Sequence, residues 1–307
     1  MPRIAACMVL LACTAVAVSA GHDLPVYGAV PGGSSILLPS ANGASPYTGI
    51  GQYQGRVACT AFFLDTLPSR EVVRDAPAYA LTSGRCAAAL GADDVLIDGP
   101  GLGRITFHDF VDAPIAPLDV SVVRTAYATA RGHDVAVLQL EGSYRALRQR
   151  LLRPLPIATR LPATGDPLVI VGAPVLDADA AFLRLVRCRM DGTAPLLLEH
   201  VWRWRGASFN QCRDVQPGAA GSPVLSLVDG AVVALVVTTR MGSDADGKCG
   251  SGHPCESTAG GTRSRPDTTY GASLAGITAC FTAHRHFDVR QPGCPLEGPT
   301  PVAPAEN

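Results

Sequence analysis

The sequence predicts an all-β fold, held by disulfides and matured in an oxidising compartment. Three observations lead there. From Gly49 onward, short apolar or alternating runs recur, separated by Gly, Pro and Asp, and many short strands at such spacing suggest a sandwich or barrel. The chain opens with an apolar segment of the kind that directs export. Past that segment the number of cysteines is even, the usual mark of paired thiols in an exported chain.

Met1 to Ala20 is apolar behind the single charge of Arg3 and ends in Ala17-Val18-Ser19-Ala20. A short positive start, an apolar middle and a small-residue end describe a secretory signal peptide over residues 1–20, cleaved before Gly21. The rival reading is lipid attachment at Cys13, since Leu10-Leu11-Ala12-Cys13 is a passable lipobox. It would leave an apolar stretch, Thr14 to Ala20, directly after the lipid. Residues 21–47 follow as a lead-in, rich in Gly, Pro, Ser and Ala, that reads as extended or loosely held.

The strand-like runs of the first half are Arg56–Leu64, Ala78–Thr82, Val95–Ile97, Leu118–Val123 and Asp134–Leu140. Those of the second are Leu168–Gly172, Leu183–Arg189, Leu196–Trp202, Pro223–Leu227 and Ala231–Thr239. Between the halves, Tyr144–Leu152 has the charge and polarity of a short surface helix, and Leu155–Gly165 reads as the crossover. Pro295 to Asn307 holds four prolines and no core pattern, so it reads as disordered.

Ten cysteines less Cys7 and Cys13 leave Cys59, Cys86, Cys188, Cys212, Cys249, Cys255, Cys280 and Cys294. Eight cysteines allow on the order of a hundred pairings, so spacing alone selects none. Cys249, His253 and Cys255 also permit a metal reading, which export disfavours against a disulfide loop. Without the leader, 24 basic residues face 26 acidic ones, a net charge of −2. No basic stretch is suited to tracking phosphates, so nucleic acid is not an expected partner. Nothing after residue 20 has the length of a membrane span. About 287 residues, nearly half hydrophobic over the full chain, suffice for one large core or two fused ones.

Three segments carry the chemical information. Gly218-Ala219-Ala220-Gly221-Ser222-Pro223-Val224 has the frame of a nucleophile loop with alanine in place of serine. Thr82-Ser83-Gly84-Arg85-Cys86 follows the apolar Ala78-Tyr79-Ala80-Leu81 at a place where Thr-Ala-Ala-His-Cys would hold a catalytic histidine. His133-Asp134-Val135-Ala136-Val137-Leu138-Gln139-Leu140 retains an aspartate. The order His, Asp, Ser becomes Arg85, Asp134, Ala220, with gaps of 49 and 86 residues. In these segments the chain resembles the trypsin-like (chymotrypsin-fold) serine proteases, over roughly residues 48–285. The fit is better to the bacterial branch related to glutamyl endopeptidases, where the loop typically reads Asp-Thr-x-Pro-Gly-x-Ser-Gly-Ser-Pro. Here it reads Asp214-Val215-Gln216-Pro217-Gly218-Ala219-Ala220-Gly221-Ser222-Pro223.

The resemblance implies two antiparallel six-stranded β-barrels, at about residues 48–145 and 160–285, with a cleft between them and a disulfide-tied, Pro-rich tail over 286–307. It also implies the pairings Cys59–Cys86, beside the Arg85 loop, and Cys188–Cys212, which leaves Cys249–Cys255 and Cys280–Cys294 as local loops. Gly218 and Ala220 would carry the N–H groups of an oxyanion hole. Ala219 replaces the aspartate of the trypsin-type activation switch. Asp214 lies six residues before Ala220, where trypsin holds the acid of its specificity pocket, although in the bacterial frame that aspartate is part of the loop.

In the template reaction a histidine accepts the serine proton, an aspartate orients the histidine, and backbone N–H groups stabilise the oxyanion. Arg85 has no acceptor lone pair and stays protonated. Ala220 has no heteroatom with which to form an acyl-enzyme. Ser222 is the nearest hydroxyl, but the frame already places a companion serine there, away from the loop apex. His133 adjoins Asp134, and neighbours in a strand face opposite ways. His108, His200, His253, His284 and His286 have no motif context. Arg85 is expected to pair with Asp134, since a buried carboxylate without a partner is costly. Asp244-x-Asp246-Gly247 resembles the opening of a calcium loop but lacks the later ligands, and reads as a polar turn. Trp202 and Trp204 alternate along a strand, so they share a face, as a recognition surface or as core.

These readings favour a secreted or periplasmic, non-catalytic protease homologue. It would need no cofactor or metal and would bind a protein or peptide, an active protease or its substrate among them. The alternatives are an active endopeptidase with a rewired site and a disulfide-stabilised structural or surface protein.

Overall fold

The computed structural model describes residues 35–66, 76–112, 116–173, 182–212, 214–215, 218–240 and 249–298. The leader, residues 21–34 and the Asp244-x-Asp246-Gly247 segment lie outside them. The described chain begins with β1 (Ile36–Leu37), then β2 (Ile50–Gln54), β3 (Ala58–Phe63) and β4 (Pro77–Thr82). A one-turn helix α1 (Gly84–Ala87) leads into β5 (Val95–Pro100), β6 (Arg104–Phe107), β7 (Leu118–Thr129) and β8 (Val135–Ser143). Helix α2 (Tyr144–Gln149) closes the first half where the polar run predicted it, with Ser143 Oγ accepting the Ala146 N–H at its start.

The first half is a closed barrel. Strands β7, β6, β2, β3, β4 and β8 follow one another, β7 pairs back onto β8, and β5 adds to the outside of β7. One strand can serve three neighbours because β7 is twelve residues long and its pairing with β8 slips twice, at Val122/Arg124 and Thr125/Tyr127. Such bulges bend and twist a strand, which curls the sheet onto itself. Along β7 the first residues alternate buried and exposed, whereas the last five are all buried.

The second half comprises β9 (Pro167–Gly172), β10 (Arg184–Arg189), β11 (Gly192–Glu199), β12 (Trp202–Asn210), β13 (Pro223–Ser226), β14 (Val232–Arg240), β15 (Cys255–Thr258), β16 (Gly261–Arg263) and β17 (Thr268–Ser273). Its order is β1-β10-β9-β13-β14-β17-β12-β11-β15-β16. The two-barrel, all-β architecture is therefore present, with a larger second sheet than the expected six strands. Two of the extra strands arise where the sequence shows no break. Leu196–Trp202, read as one run, is the turn of the β11–β12 hairpin, reversed at His200 (φ 52°) with no glycine or proline to signal it. The lead-in supplies β1, which pairs with β10. The free ends of β10 and β12 meet through Cys188–Cys212 and a bond from the Asp191 N–H to the Phe209 carbonyl.

The crossover joins both halves by main-chain bonds. Leu155 bridges to Leu64, and two residues later Ile157 bridges to Val232. One core cluster then runs through the seam, with Phe62, Tyr79 and Tyr127 from the first half and Trp204, Leu235 and Tyr270 from the second. A separate cluster fills the first barrel, with Tyr53, Phe63, Ile105 and Phe107 among its members.

Both ends of the described chain are better held than their composition suggests. Leu38 and Tyr47 of the lead-in are buried, and the Leu38 N–H donates to the Leu183 carbonyl. At the other end the disordered reading fails for residues 295–298. Leu296 packs on the core, Tyr127 Oη donates to the Glu297 carbonyl at 2.9 Å, and Arg131 pairs with the Glu297 carboxylate at 2.8 Å. The Cys280–Cys294 bridge tethers this segment close enough for one leucine and one glutamate to find partners. Cys59–Cys86, Cys188–Cys212, Cys249–Cys255 and Cys280–Cys294 are all present as disulfides.

His108 is buried in a left-handed conformation (φ 64°), and among the described residues neither ring nitrogen has a hydrogen-bond partner. Burial, and next to it Arg150, hold its pKa below the ordinary 6.5. As pH falls through that ordinary value the unfolded chain takes a proton that the folded chain refuses, so stability declines until the folded pKa is reached. His133 is shifted the same way by burial. The variant His108→Asn keeps a residue tolerant of this backbone conformation. It should lose less melting temperature between pH 7.5 and 5.5 than the native protein, as read by calorimetry.

Candidate functional site

Arg85 lies in α1, one turn of helix anchored at its end by the Cys59–Cys86 bridge. Gly84 is required there, because a Cβ at that position would stand 2.1 Å from the Thr129 carbonyl oxygen. That close approach sets α1 against the strand leading to Asp134, which has no exposed surface. The aspartate accepts three bonds from one short stretch: Ser83 Oγ at 2.6 Å, the Arg85 N–H at 3.1 Å and Arg85 Nε at 2.8 Å. The expected Arg85–Asp134 pair is thus formed, with two further donors completing it.

The rest of the guanidinium is gripped by the second half. Arg85 Nη2 donates to the Val237 carbonyl at 2.8 Å. Its central carbon lies 4.4 Å from the Trp202 ring and 4.7 Å from the Trp204 ring, which stack 6.2 Å apart and nearly parallel. Cation–π attraction at desolvated sites is worth up to about 2 kcal/mol. Nη1 stands 3.7 Å from Glu199, whose other contact is the Gly252 N–H at 2.9 Å. The two tryptophans do share a face, and they use it to hold Arg85. Trp204 is buried and donates through Nε1 to the Ala130 carbonyl, two residues before Gly132, whose carbonyl takes the Arg205 N–H.

The Ala220 loop is shaped by its backbone. Gly218 (φ 88°) and Gly221 (φ 84°) both lie in the left-handed region. A Cβ at Gly221 would approach the Thr60 carbonyl to 2.1 Å. Thr60 is the fastening point: its N–H donates to the Ala220 carbonyl, and its hydroxyl donates to the Gly218 carbonyl and accepts the Ala173 N–H. The Gly221 N–H reaches the Val236 carbonyl at 2.7 Å. Ser222 is fully buried, and its hydroxyl has no partner.

Arg85, Gly218 and Ala220 line one cleft of about 590 Å³, together with Trp202, Ser83, Arg56 and the apolar side chains of Val57, Ala88 and Leu90. Among the described residues no histidine lines it. His133 precedes β8 and lies near Glu297 and Arg205, away from the cleft. Asp214 does not line the cleft either. It accepts the Ser35 N–H at 2.9 Å and the Ser35 hydroxyl at 2.6 Å, beside a small cavity bordered by Val215, Ala219 and Arg184. As a candidate specificity acid it is therefore misplaced; the structure gives it a loop-anchoring position, satisfied by the lead-in. Among the described residues no group of side chains is arranged to hold a metal ion.

Sequence reading did not find Glu199, Thr60, Ser83 or the Val237 carbonyl. Only Ser83 carried a signal, by its place two residues before Arg85. Replacing Arg85 with Ala leaves Asp134 buried with two neutral donors and should destabilise the fold by about 3 kcal/mol. Arg85→Lys should recover part of that loss, because a point charge cannot bridge Asp134 and Val237 as the guanidinium fork does. Gly221→Ala should cost about 2 kcal/mol or more through its positive φ and the Thr60 contact. Urea denaturation of the three variants checks these values.

Residues 69–235 match the family of the trypsin-like peptidase domain. No curated protein matches the chain. Among solved structures, it is similar to a Glu endopeptidase in complex with MPD, at 13% identity and a TM-score of 0.51, covering 81% of this chain and 95% of that one. It is also similar to an inactive form of Rv3671c from M. tuberculosis H37Rv, at 15% identity, TM-score 0.45 and coverage of 80% and 92%. The MamO protease domain from Magnetospirillum magneticum aligns at 11% identity, TM-score 0.45 and coverage of 77% and 97%. The family match spans more than half of the 307 residues, and with the Arg85–Asp134–Ala220 arrangement it identifies the chain as a member of the trypsin-like peptidase domain family, folded as two chymotrypsin-like β-barrels.

Proposed function

We propose that this protein is a non-catalytic member of its family, exported and acting by binding a protein or peptide in the cleft between the barrels. The observation that carries this reading is Arg85. Its guanidinium occupies the place of the general base, and it is committed to Asp134 and the Val237 carbonyl and packed against two indole rings. A guanidinium cannot take a proton from a nucleophile. Ala220, which lines the same cleft, offers no nucleophile, and Ser222 is fully buried.

Losing either the base or the nucleophile of such a triad lowers turnover by about 10⁶-fold, and losing both lowers it little further. The binding apparatus is less affected. The loop carrying Gly218 and Ala220 is held by backbone bonds and by Thr60, none of which involves the missing hydroxyl. A cleft of about 590 Å³ has the size of a ligand site. Four disulfides support export, and no described helix is long and apolar enough to cross a membrane.

The test is turnover of a mixed fluorogenic peptide library by the native protein and by the double variant Arg85→His, Ala220→Ser. The native protein should show none, and the double variant should cleave. Cleavage by the native protein that stops with Ser222→Ala or Asp134→Ala would overturn the reading.

A further inference from the structure

We propose that the cleft is a receptor for a peptide's C-terminal carboxylate. This rests on the peptide-binding reading above and names the chemical group that is bound. Among the described residues, the unpartnered polar groups around the cleft are mostly donors. Among the described residues, Arg85 Nη1 makes no hydrogen bond; it forms an ion pair with Glu199 at 3.7 Å. Trp202 lines the cleft, and its Nε1 is buried with no partner among the described residues. Among the described residues, neither the Gly218 nor the Ala220 N–H has an acceptor. Arg56, exposed at the rim, adds a second guanidinium. Among the described residues, no Asp or Glu lines the cleft. Asp134 and Glu199 are buried beside Arg85; Asp134 is bonded to Ser83 and Arg85, and Glu199 accepts from Gly252 through Oε1, its Oε2 having no hydrogen-bond partner among the described residues.

Unfilled donors around one cavity call for a ligand that brings acceptor oxygens and negative charge. A carboxylate has two oxygens and about four lone-pair sites, and it suits both a guanidinium edge and a pair of backbone amides. Capture of a chain terminus by backbone N–H groups is a known recognition mode. The two substitutions that end catalysis both serve this purpose. Arg85 adds a guanidinium N–H edge that a histidine lacks, and Ala220 removes a hydroxyl that would compete for the space of one carboxylate oxygen. The apolar wall of Val57, Ala88 and Leu90 then accommodates side chains of the ligand. The bound species is a finished chain end, with no bond made or broken.

The experiment uses the native protein and a pool of N-terminally fluorescein-labelled pentapeptides of randomised sequence. One half of the pool carries a free C-terminal carboxylate and the other half is C-terminally amidated. Fluorescence polarisation reads affinity, and the combined emission of Trp202 and Trp204, the two tryptophans of the chain, reads occupancy of the cleft. Free acids should bind about tenfold more tightly than amides, the difference made by a charge-assisted bond. The exposed variant Arg56→Gln should weaken the acids and leave the amides unchanged, while its melting temperature shows that it is folded. If acids and amides bind alike and both change the tryptophan emission, the carboxylate proposal is overturned and peptide binding stands. If neither binds, both are overturned.

Discussion

A carboxylate with no exposed surface sits where the two barrels meet, and its need for donors organises the structure around it. Asp134 enters the seam at the start of β8. A buried charge of this kind costs several kcal/mol unless it is paired and hydrogen-bonded. All three donors it receives come from residues 83–85, so meeting that requirement places α1 and Arg85 against the second barrel. From there the guanidinium extends the same constraint across the seam, to the main chain of β14 and to the indoles of β12. A single buried charge thereby links residues more than 150 positions apart in sequence.

The Ala220 loop obeys a different constraint, set by backbone geometry. Its shape depends on two glycines at positive φ and on Thr60, which bonds to both ends of the apex. None of these contacts passes through the side chain at position 220. A serine can therefore become alanine there without disturbing the loop, whereas Gly221 cannot accept a Cβ. This separation between what shapes the loop and what would react in it lets the frame of the loop stand with alanine at position 220.

Much of the fold was legible because its signals are local. Alternating apolar runs marked most strands, the polar run over Tyr144–Leu152 marked α2, and the nucleophile-loop frame marked the family. The misses share a cause. The β11–β12 hairpin turns inside an apolar run at His200 and Val201, where no residue type announces a reversal. Strand β1 and the docked segment around Glu297 have compositions that suit loops, and they are ordered only because distant partners, β10 in one case and Tyr127 with Arg131 in the other, receive them.

By itself the sequence determined what the site lacks. An arginine in place of a histidine and an alanine in place of a serine are statements about atoms, and no folding can supply a missing lone pair or hydroxyl. The aspartate in the third position likewise made a pairing with Arg85 foreseeable, because opposite charges brought together in a dry place must compensate one another. What only the tertiary structure decided is how the arginine is held and what it leaves exposed. The Val237 carbonyl, Glu199 and the stacked tryptophans reach it from strands far along the chain. Their convergence depends on barrel packing and strand register, which are properties of many residues acting together and leave no mark at any one position.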